Sequence, residues 1–240
     1  MSQHISRKEL KKDEIREGIV HSAEAAMAHQ KQIWLYGGAV LAVILAIVGW
    51  RFYSQRETVK ASAAFDEAAK VFNARVRAVT EPEPQGEVTY LDETTKFTDA
   101  AKKFEEVANQ YSRTRPGQMA QYYTGLCYER LQQNNQALEW FAKVQNGGDT
   151  EFASLARMRT AHIYELTGKN EEAVKLYLEL ITKPTTVVPK PLAMLALGDL
   201  QLRTNPAEAE KTFQQIRAEF PDSEVSREAQ ERLEALPPKT

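Results

Sequence analysis

Side chains that could perform catalysis or bind a metal are scarce in this chain and lie far apart. It holds four histidines and one cysteine, and three of the histidines precede residue 30, which leaves His162 and Cys127. Metal sites and acid–base catalysis need several converging groups, and nothing at ligand spacing accompanies His162. We expect Cys127 to be a buried apolar residue and not a nucleophile. Because the chain also lacks a phosphate-loop or zinc motif, the sequence predicts no enzyme activity, no cofactor and no metal.

Net charge and cysteine content narrow the class of protein further. The 240 residues include 31 basic and 33 acidic ones, which gives a formal net charge of −2. A nucleic-acid partner would call for an excess of positive charge, so none is predicted. The single cysteine excludes an intramolecular disulfide. That fits a cytoplasmic location and does not exclude a periplasmic one.

An apolar stretch near the N-terminus predicts a transmembrane helix over residues 33–53. No charged residue lies between Lys31 and Arg51. The 18 residues from Ile33 to Trp50 would form about 27 Å of helix, close to the roughly 30 Å of a bilayer core. Aromatic residues at both ends are typical of the two membrane interfaces. The residues assigned to the membrane anchor are Trp34, Tyr36, Gly38, Ala42, Ala46, Trp50, Arg51 and Tyr53.

Small residues recur within this stretch at a spacing that places them on one helix face. Gly38, Ala42 and Ala46 are four residues apart. Such a ridge is typical of helix packing in membranes, and it is equally compatible with a face that meets only lipid. Both interpretations stay open.

The segment before the span, residues 1–32, is predicted to be a charged and partly helical tail. A thin apolar stripe runs along it at four-residue spacing, formed by Ile15, Ile19, Ala23 and Met27. The helix is interpreted either as solvated or as touching the bilayer or a partner. The lengths of the tail and of the apolar run favour an uncleaved anchor over a signal peptide, although residues 61–63 resemble a cleavage triplet. The basic residues of the tail weakly favour a cytoplasmic N-terminus.

Residues 54–240 carry a repeated pattern that predicts one helical domain. An alanine followed four residues later by an aromatic residue recurs at steps of 37, 36 and 36 residues, as Ala100/Phe104, Ala137/Phe141, Ala173/Tyr177 and Ala209/Phe213. A small residue precedes the last three copies, at Gly125, Ala161 and Gly198. In a hairpin of antiparallel helices, small residues allow close approach and the aromatic ring fills the wedge. Each hairpin leaves an apolar face open, so the hairpins must stack.

This pattern resembles the tetratricopeptide repeat, with Gly-x-x-Tyr at Gly125–Tyr128 and Ala-x-x-x-Phe at Ala137–Phe141. The resemblance implies an all-α fold, in which a single N-terminal transmembrane helix precedes a right-handed α-solenoid of about four helix hairpins and a C-terminal capping helix. We predict a first hairpin with helices at 57–79 and 94–110, three more near 117–144, 150–182 and 190–220, and the cap near 223–236. The loop at 80–90 is longer than most helix connections. It is interpreted as a flexible acidic insertion or as a loop that contacts a partner.

In tetratricopeptide hairpins the first helices line a concave groove, and counting from the small residues assigns candidate partner-binding residues to it. These are Met119, Tyr122, Leu126, Glu129, Leu155, Met158, His162, Glu165, Leu192, Leu195, Asp199 and Leu202. Many of them could instead pack against neighbouring helices. Apolar side chains edged by acidic ones would suit a weak, adaptable site for a segment of a protein partner. Charge reversal at Glu129 and Glu165 is then expected to weaken partner capture without unfolding the domain.

The end of the span, Gly49-Trp50-Arg51-Phe52-Tyr53, followed by degenerate repeats, is similar to the bacterial ancillary SecYEG translocon subunit family. The resemblance implies an inner-membrane protein with a cytoplasmic N-terminus and a periplasmic repeat domain. It also implies association with the export channel and with a membrane-anchored prolyl-isomerase chaperone, and hence a scaffold or chaperone adaptor. Two alternatives stay open: an adaptor in envelope assembly or cell division, and a cleaved or cytosol-facing repeat protein.

Overall fold

The structure of the chain is a computed structural model that describes residues 30–82 and 84–236. The predicted tail helix, with Ile15, Ile19, Ala23 and Met27, lies outside the described residues. Within them the elements are α1 (Gln30–Phe72), β1 (Arg75–Val76), β2 (Thr89–Tyr90), α2 (Glu93–Gln110), α3 (Arg115–Arg130), α4 (Asn134–Gln145), α5 (Thr150–Leu166), α6 (Asn170–Thr182), α7 (Lys190–Thr204), α8 (Pro206–Glu219) and α9 (Glu224–Glu234). The prediction of an all-α fold is confirmed.

The contacts divide the chain into two compact units, and the boundary falls between Arg56 and Glu57. In the first unit, α1 carries the predicted apolar stretch, and every described side chain from Trp34 to Arg56 is exposed. This is the one helix in the described part of the chain that is long and apolar enough to cross a membrane. The apolar side chains from Trp34 to Tyr53 are therefore not covered by any other part of the chain that the structure describes.

The second unit is a stack of helix hairpins. The two helices of each hairpin pack against each other, in the pairs α3–α4, α5–α6 and α7–α8. Contacts α4–α5 and α6–α7 join successive hairpins, and α9 packs on α8 and α7. Their ends lie within two residues of the predicted hairpins and cap. Four buried apolar clusters follow one another along this stack among the described residues. The core is therefore shared between neighbouring hairpins, as expected of a solenoid.

The repeated residues occupy the places that their spacing predicts. All eight members of the alanine–aromatic pairs are buried. A Cβ atom at Gly125 would lie 2.5 Å from Cε1 of Phe141, so the glycine makes room for the ring from the second helix of its own hairpin. Gly198 faces Phe213 in the same way. In both hairpins the glycine leaves space for the aromatic ring of the second helix, and this close contact packs the two helices together.

An aromatic cluster that the repeat pattern does not predict seats the C-terminal part of α1. The ring centroid of Phe65 lies 5.3 Å from that of Phe104 and 5.4 Å from that of Tyr123. Phe72 contacts Phe97 at 5.5 Å and Tyr123 at 5.4 Å. These large rings, together with the buried Ala68 and Val71, join residues 57–72 to α2 and α3.

The first helix ends earlier than predicted, at Phe72 and not at Val79. The next residues form a minimal parallel sheet, in which Arg75 and Val76 pair with Thr89 and Tyr90. The Arg77 amide donates to the Tyr90 carbonyl at 2.8 Å, and Arg75 pairs with Glu81 at 2.7 Å. The loop that was interpreted as a flexible insertion is thus tied at both ends by backbone hydrogen bonds.

Candidate functional site

Ion pairs between first helices of consecutive hairpins mark one side of the stack. Glu129 on α3 lies 3.2 Å from His162 Nδ1 and 3.7 Å from Arg159 Nη1, both on α5. Glu165 at the end of α5 pairs with Arg203 on α7. A third pair, between Asp199 and Arg232, lies along the same side. We call this set of residues the ion-pair ladder: Glu129, Arg159, His162, Glu165, Arg203, Asp199 and Arg232.

The last step of the ladder joins the cap to the final hairpin. Arg232 on α9 donates through Nε to Asp199 on α7, at 3.1 Å. The ladder therefore runs from α3 to α9 through every first helix of the three repeat hairpins. It places the predicted acidic residues Glu129, Glu165 and Asp199 on a common side, the first two in contact with the next hairpin and Asp199 in contact with the cap.

Within the first two steps, the carboxylate is the buried partner and the cation is the exposed one. The Glu129 side chain is 12% exposed, against 46% for Arg159 and 48% for His162. The Glu165 side chain is 10% exposed, against 59% for Arg203. At the third step Asp199 and Arg232 are exposed to the same degree. The guanidinium and imidazole groups thus lie outermost in the first two steps, whereas at the third step an acidic residue also lies at the surface.

This burial adds a second expected effect of charge reversal, on the stability of the stack. Removing one partner of a shielded pair leaves an uncompensated charge, which destabilises a protein by more than the pair itself contributes. Glu165 additionally accepts a hydrogen bond from the Tyr177 hydroxyl. Reversal at Glu129 and Glu165 would therefore disturb the stacking of hairpins as well as any bound partner.

The apolar candidates mostly pack between helices. Tyr122 and Leu195 are buried members of core clusters. The half-buried candidates are Met119, Leu126, Leu155, Met158 and Leu202, of which all but Met119 pack against those clusters. Leu192 and His162 are exposed. Apart from Leu192, each apolar candidate thus contributes at most an edge to the surface, and Arg159, His162 and Arg203 are exposed beside these edges.

Several ionisable groups of this side have shifted pKa values. The hydrogen bond that His162 makes to the Glu129 carboxylate raises the pKa of His162, while partial burial opposes that shift. Burial, together with the hydrogen bond to Glu165, raises the pKa of Tyr177. Burial also raises the pKa of the Cys127 thiol to about 12. Since only a thiolate is an effective nucleophile, Cys127 is a packing residue, as predicted.

The described residues contain no group of three or more His, Cys, Asp or Glu side chains that could hold a metal ion. The cations of the ladder, Arg159, Arg203 and Arg232, were not among the sequence-predicted site residues. Their position next to predicted candidates could have identified two of them. Arg159 precedes His162 by about one helical turn, and Arg203 directly follows Leu202. Their role depends on which helix packs next to them, which the repeat spacing alone does not specify.

The predicted anchor residues all lie on the exposed part of α1. These are Trp34, Tyr36, Gly38, Ala42, Ala46, Trp50, Arg51 and Tyr53. Nothing lies within 4 Å of the position that a Cβ at Gly38 would take. The small-residue ridge is therefore open and covered by no other segment of the described chain.

Comparison with known protein families matches the chain to a model described as a tetratricopeptide repeat-like domain, which aligns with residues 29–236. Comparisons with curated proteins and with solved structures found no significant match. The family match begins before the apolar stretch and ends at residue 236, the last described position. It thus covers α1 together with the hairpins, and most of the sequence. The chain belongs to the tetratricopeptide repeat-like domain family.

Proposed function

We propose that this protein is a membrane-anchored scaffold or chaperone adaptor that acts beside the protein-export translocon, with its repeat domain on the periplasmic side of a bacterial inner membrane. The observation that carries this proposal is a helix with a wholly exposed apolar segment in a chain whose remaining helices form a tetratricopeptide-like stack. The proposed division is a tail at 1–32, a span at 33–53 and a soluble domain at 54–240.

Support for the anchor comes from the cost of leaving α1 in water. Leu41, Leu45 and Trp50 are more than half exposed. Burying a large apolar side chain away from water is favourable by about 1.5–3 kcal/mol of free energy. A bilayer provides that burial without another protein. The charged tail, with Arg7, Lys8, Lys11 and Lys12, supports the cytoplasmic position of the N-terminus.

Support for protein binding comes from the family and from the ladder side of the stack. Tetratricopeptide-like domains are typically interaction modules without catalysis. The first helices of this chain expose charged groups between half-buried apolar edges, which is the composition of a polar protein–protein contact. Association with the export channel and a periplasmic chaperone rests on the resemblance of the segment Gly49–Tyr53 and the domain order.

Site-specific photocrosslinking in intact membranes tests the proposal. A crosslinking amino acid would replace His162 on the ladder side or Ala42 in the span, with Gln214, an exposed residue on α8, as the matched control position. We expect channel subunits or a periplasmic chaperone to be captured from His162 or Ala42 and not from Gln214. Capture of division or envelope-assembly proteins, with channel subunits consistently absent, would replace translocon association with the alternative adaptor role. A reporter fused to the C-terminus determines on which side of the membrane the domain lies.

A further inference from the structure

The cations of the ion-pair ladder have more hydrogen-bond donors than the ladder contacts engage, and Arg159 also bonds the Tyr122 hydroxyl. A guanidinium has five N–H donors in a planar fork, and the ladder contacts engage Nη1 of Arg159, Nη2 of Arg203 and Nε of Arg232. In the first two steps the partner carboxylate lies beneath the cation and is shielded from solvent. A molecule approaching this side therefore meets positive groups first.

Apolar edges lie next to these cations in the sequence. The half-buried Met158 directly precedes Arg159, and the half-buried Leu202 directly precedes Arg203. Methionine adapts to irregular partners because its side chain is unbranched and polarisable. The surface thus offers carboxylate-binding groups flanked by small apolar contacts, which is a combination suited to a polypeptide rather than to a small anion.

We propose that the ladder side of the repeat stack binds a protein segment rich in Asp and Glu, whose carboxylates contact Arg159, His162, Arg203 and Arg232. Charge complementarity selects this occupant, because a basic segment would face the cations and could reach Glu129 and Glu165 only by displacing them. The inference rests on the proposed function as a protein-interaction scaffold and specifies the chemistry of the partner. It does not depend on which membrane complex the protein joins.

The spacing of the ladder sets the length of the probe. Neighbouring packed helices lie about 8–10 Å apart, and an extended peptide spans at most about 3.3–3.6 Å per residue. Acidic residues about three positions apart would therefore meet successive helices. Suitable probes are three fluorescein-labelled 12-residue peptides of the repeats Leu-Ala-Glu, Leu-Ala-Gln and Leu-Ala-Lys.

The experiment measures fluorescence anisotropy of these peptides with the full-length protein in nanodiscs of neutral phosphatidylcholine. We expect the Glu peptide to bind about tenfold more tightly than the Gln peptide, and the Lys peptide to bind more weakly still. Raising the salt concentration from 50 to 300 mM should weaken the binding of the Glu peptide more than that of the Gln peptide, because salt screens exposed charge pairs.

A charge-balanced double variant tests the site without leaving a shielded charge unpaired. Glu165→Gln combined with Arg203→Gln removes both partners, and the glutamine carbonyl can still accept from Tyr177. We expect this variant to bind the Glu peptide about two- to fivefold more weakly. The matched control is Glu208→Gln with Lys211→Gln, an exposed pair on α8 at 2.7 Å, which should leave peptide affinity unchanged. Circular dichroism checks folding, and if the double variant fails to fold, the three-peptide series on the wild-type protein still decides.

Each other outcome contradicts the proposal in a distinct way. Equal affinity for the Glu, Gln and Lys peptides would overturn the acidic preference and leave the scaffold function standing. Absence of binding by all three would count against both the ladder side as a peptide site and its use by the scaffold. Binding of the nanodisc-embedded protein to phosphatidylglycerol vesicles but not to phosphatidylcholine vesicles, without peptide binding, would assign the cations to lipid. A peptide-independent dimer by mass photometry would assign them to a second copy.

Discussion

At the scale of single residues, two equivalent turns show how local strain is distributed between repeats. The amide of Gln133 donates to the Tyr128 carbonyl at 2.8 Å, and 36 residues later the amide of Lys169 donates to the Tyr164 carbonyl at 2.8 Å. These bonds end α3 and α5 with the same helix-terminating motif. The left-handed position is Gly168 with φ of 75° in one turn, and Gln132 with φ of 59° in the other. The turn after α3 is therefore strained at Gln132, whereas the turn after α5 is relaxed because it has a glycine at the equivalent position.

Replacing Gln132 by glycine is expected to stabilise the domain. A residue with a Cβ in the left-handed region is unfavourable by about 1–2 kcal/mol, and the Gln132 side chain is exposed, so no packing is lost. The greater freedom of glycine in the unfolded chain offsets part of this gain. We expect a net stabilisation of about 0.5–1 kcal/mol, observed as a rise of about 1–4 °C in the thermal midpoint by circular dichroism.

The reverse substitution in the equivalent turn is the control. Gly168→Gln places a Cβ in the same conformation and should lower the thermal midpoint by a similar amount. Opposite signs for the two variants are the expected result. If Gln132→Gly lowers the midpoint while Gly168→Gln leaves it unchanged, strain is not what distinguishes the two turns.

The sequence predicts the repeated residues well and the turn residues poorly. Ala137, Phe141 and Gly125 were predictable because a close contact between helices restricts residue size at a fixed spacing. The conformation of Gln132 was not, since its side chain gives no sign of a left-handed backbone and only the neighbouring repeat shows what a glycine would do there. Arg159 and Arg203 likewise reveal their role only once α5 and α7 are placed beside their partners.

At the scale of elements, the ion pair between α3 and α5 includes His162, the one histidine among the described residues, and this makes the association of the two helices sensitive to pH. His162 on α5 faces Glu129 on α3, and Glu165 and Arg159 of its own helix also act on it. Glu129 raises the pKa of His162 above its ordinary 6.5, so the folded state holds the proton more tightly than the unfolded one. The stabilisation is present in full below pH 6.5 and is lost as the pH rises through the folded pKa.

The wild-type protein should therefore lose stability between pH 6 and pH 8 relative to His162→Gln. The effect is modest, because about half of the His162 side chain is exposed and solvent screens the pair. Urea unfolding of both proteins at pH 6 and pH 8 measures it, and the difference between them cancels any contribution from His4, His21 and His29. A wild-type protein that gains stability with rising pH relative to the variant would show that Glu129 does not favour the charged imidazole.

The element boundaries show where periodicity is sufficient and where it is not. The hairpins from α3 to α8 were predicted closely, since breaks such as Gly147-Gly148 and Thr167-Gly168 separate their helices. In the structure, Asp149 caps α5 by accepting from the amides of Glu151 and Phe152. The end of α1 was misplaced because the apolar residues after Phe72 fit a helix equally well. Pairing between residues 75–76 and 89–90 is a non-local contact, which a helical pattern does not encode.

At the scale of the whole molecule, the exposed apolar segment of α1 decides whether the protein resides in a membrane. The nine Leu, Ile and Val residues between Ile33 and Trp50 favour insertion by about 3–5 kcal/mol, whereas each lysine at the centre of a span costs about 2.5–3.5 kcal/mol. Two lysines would therefore outweigh the whole apolar contribution. Leu41→Lys with Leu45→Lys is the corresponding double variant.

We expect the wild-type chain to sediment with membranes, to resist extraction by alkaline carbonate and to be released by detergent at its full-length mass. The double variant should move to the aqueous fraction, because its insertion is no longer favourable. The control is Val79→Lys with Val88→Lys, which adds the same charge at exposed valines of the loop and should leave the protein in the membrane. A full-length wild-type chain in the aqueous fraction would refute the anchor, and a product that begins near Ala64 would show that α1 acts as a cleaved signal. Retention of the Leu41→Lys, Leu45→Lys variant would show that something other than the apolar segment holds the protein at the membrane.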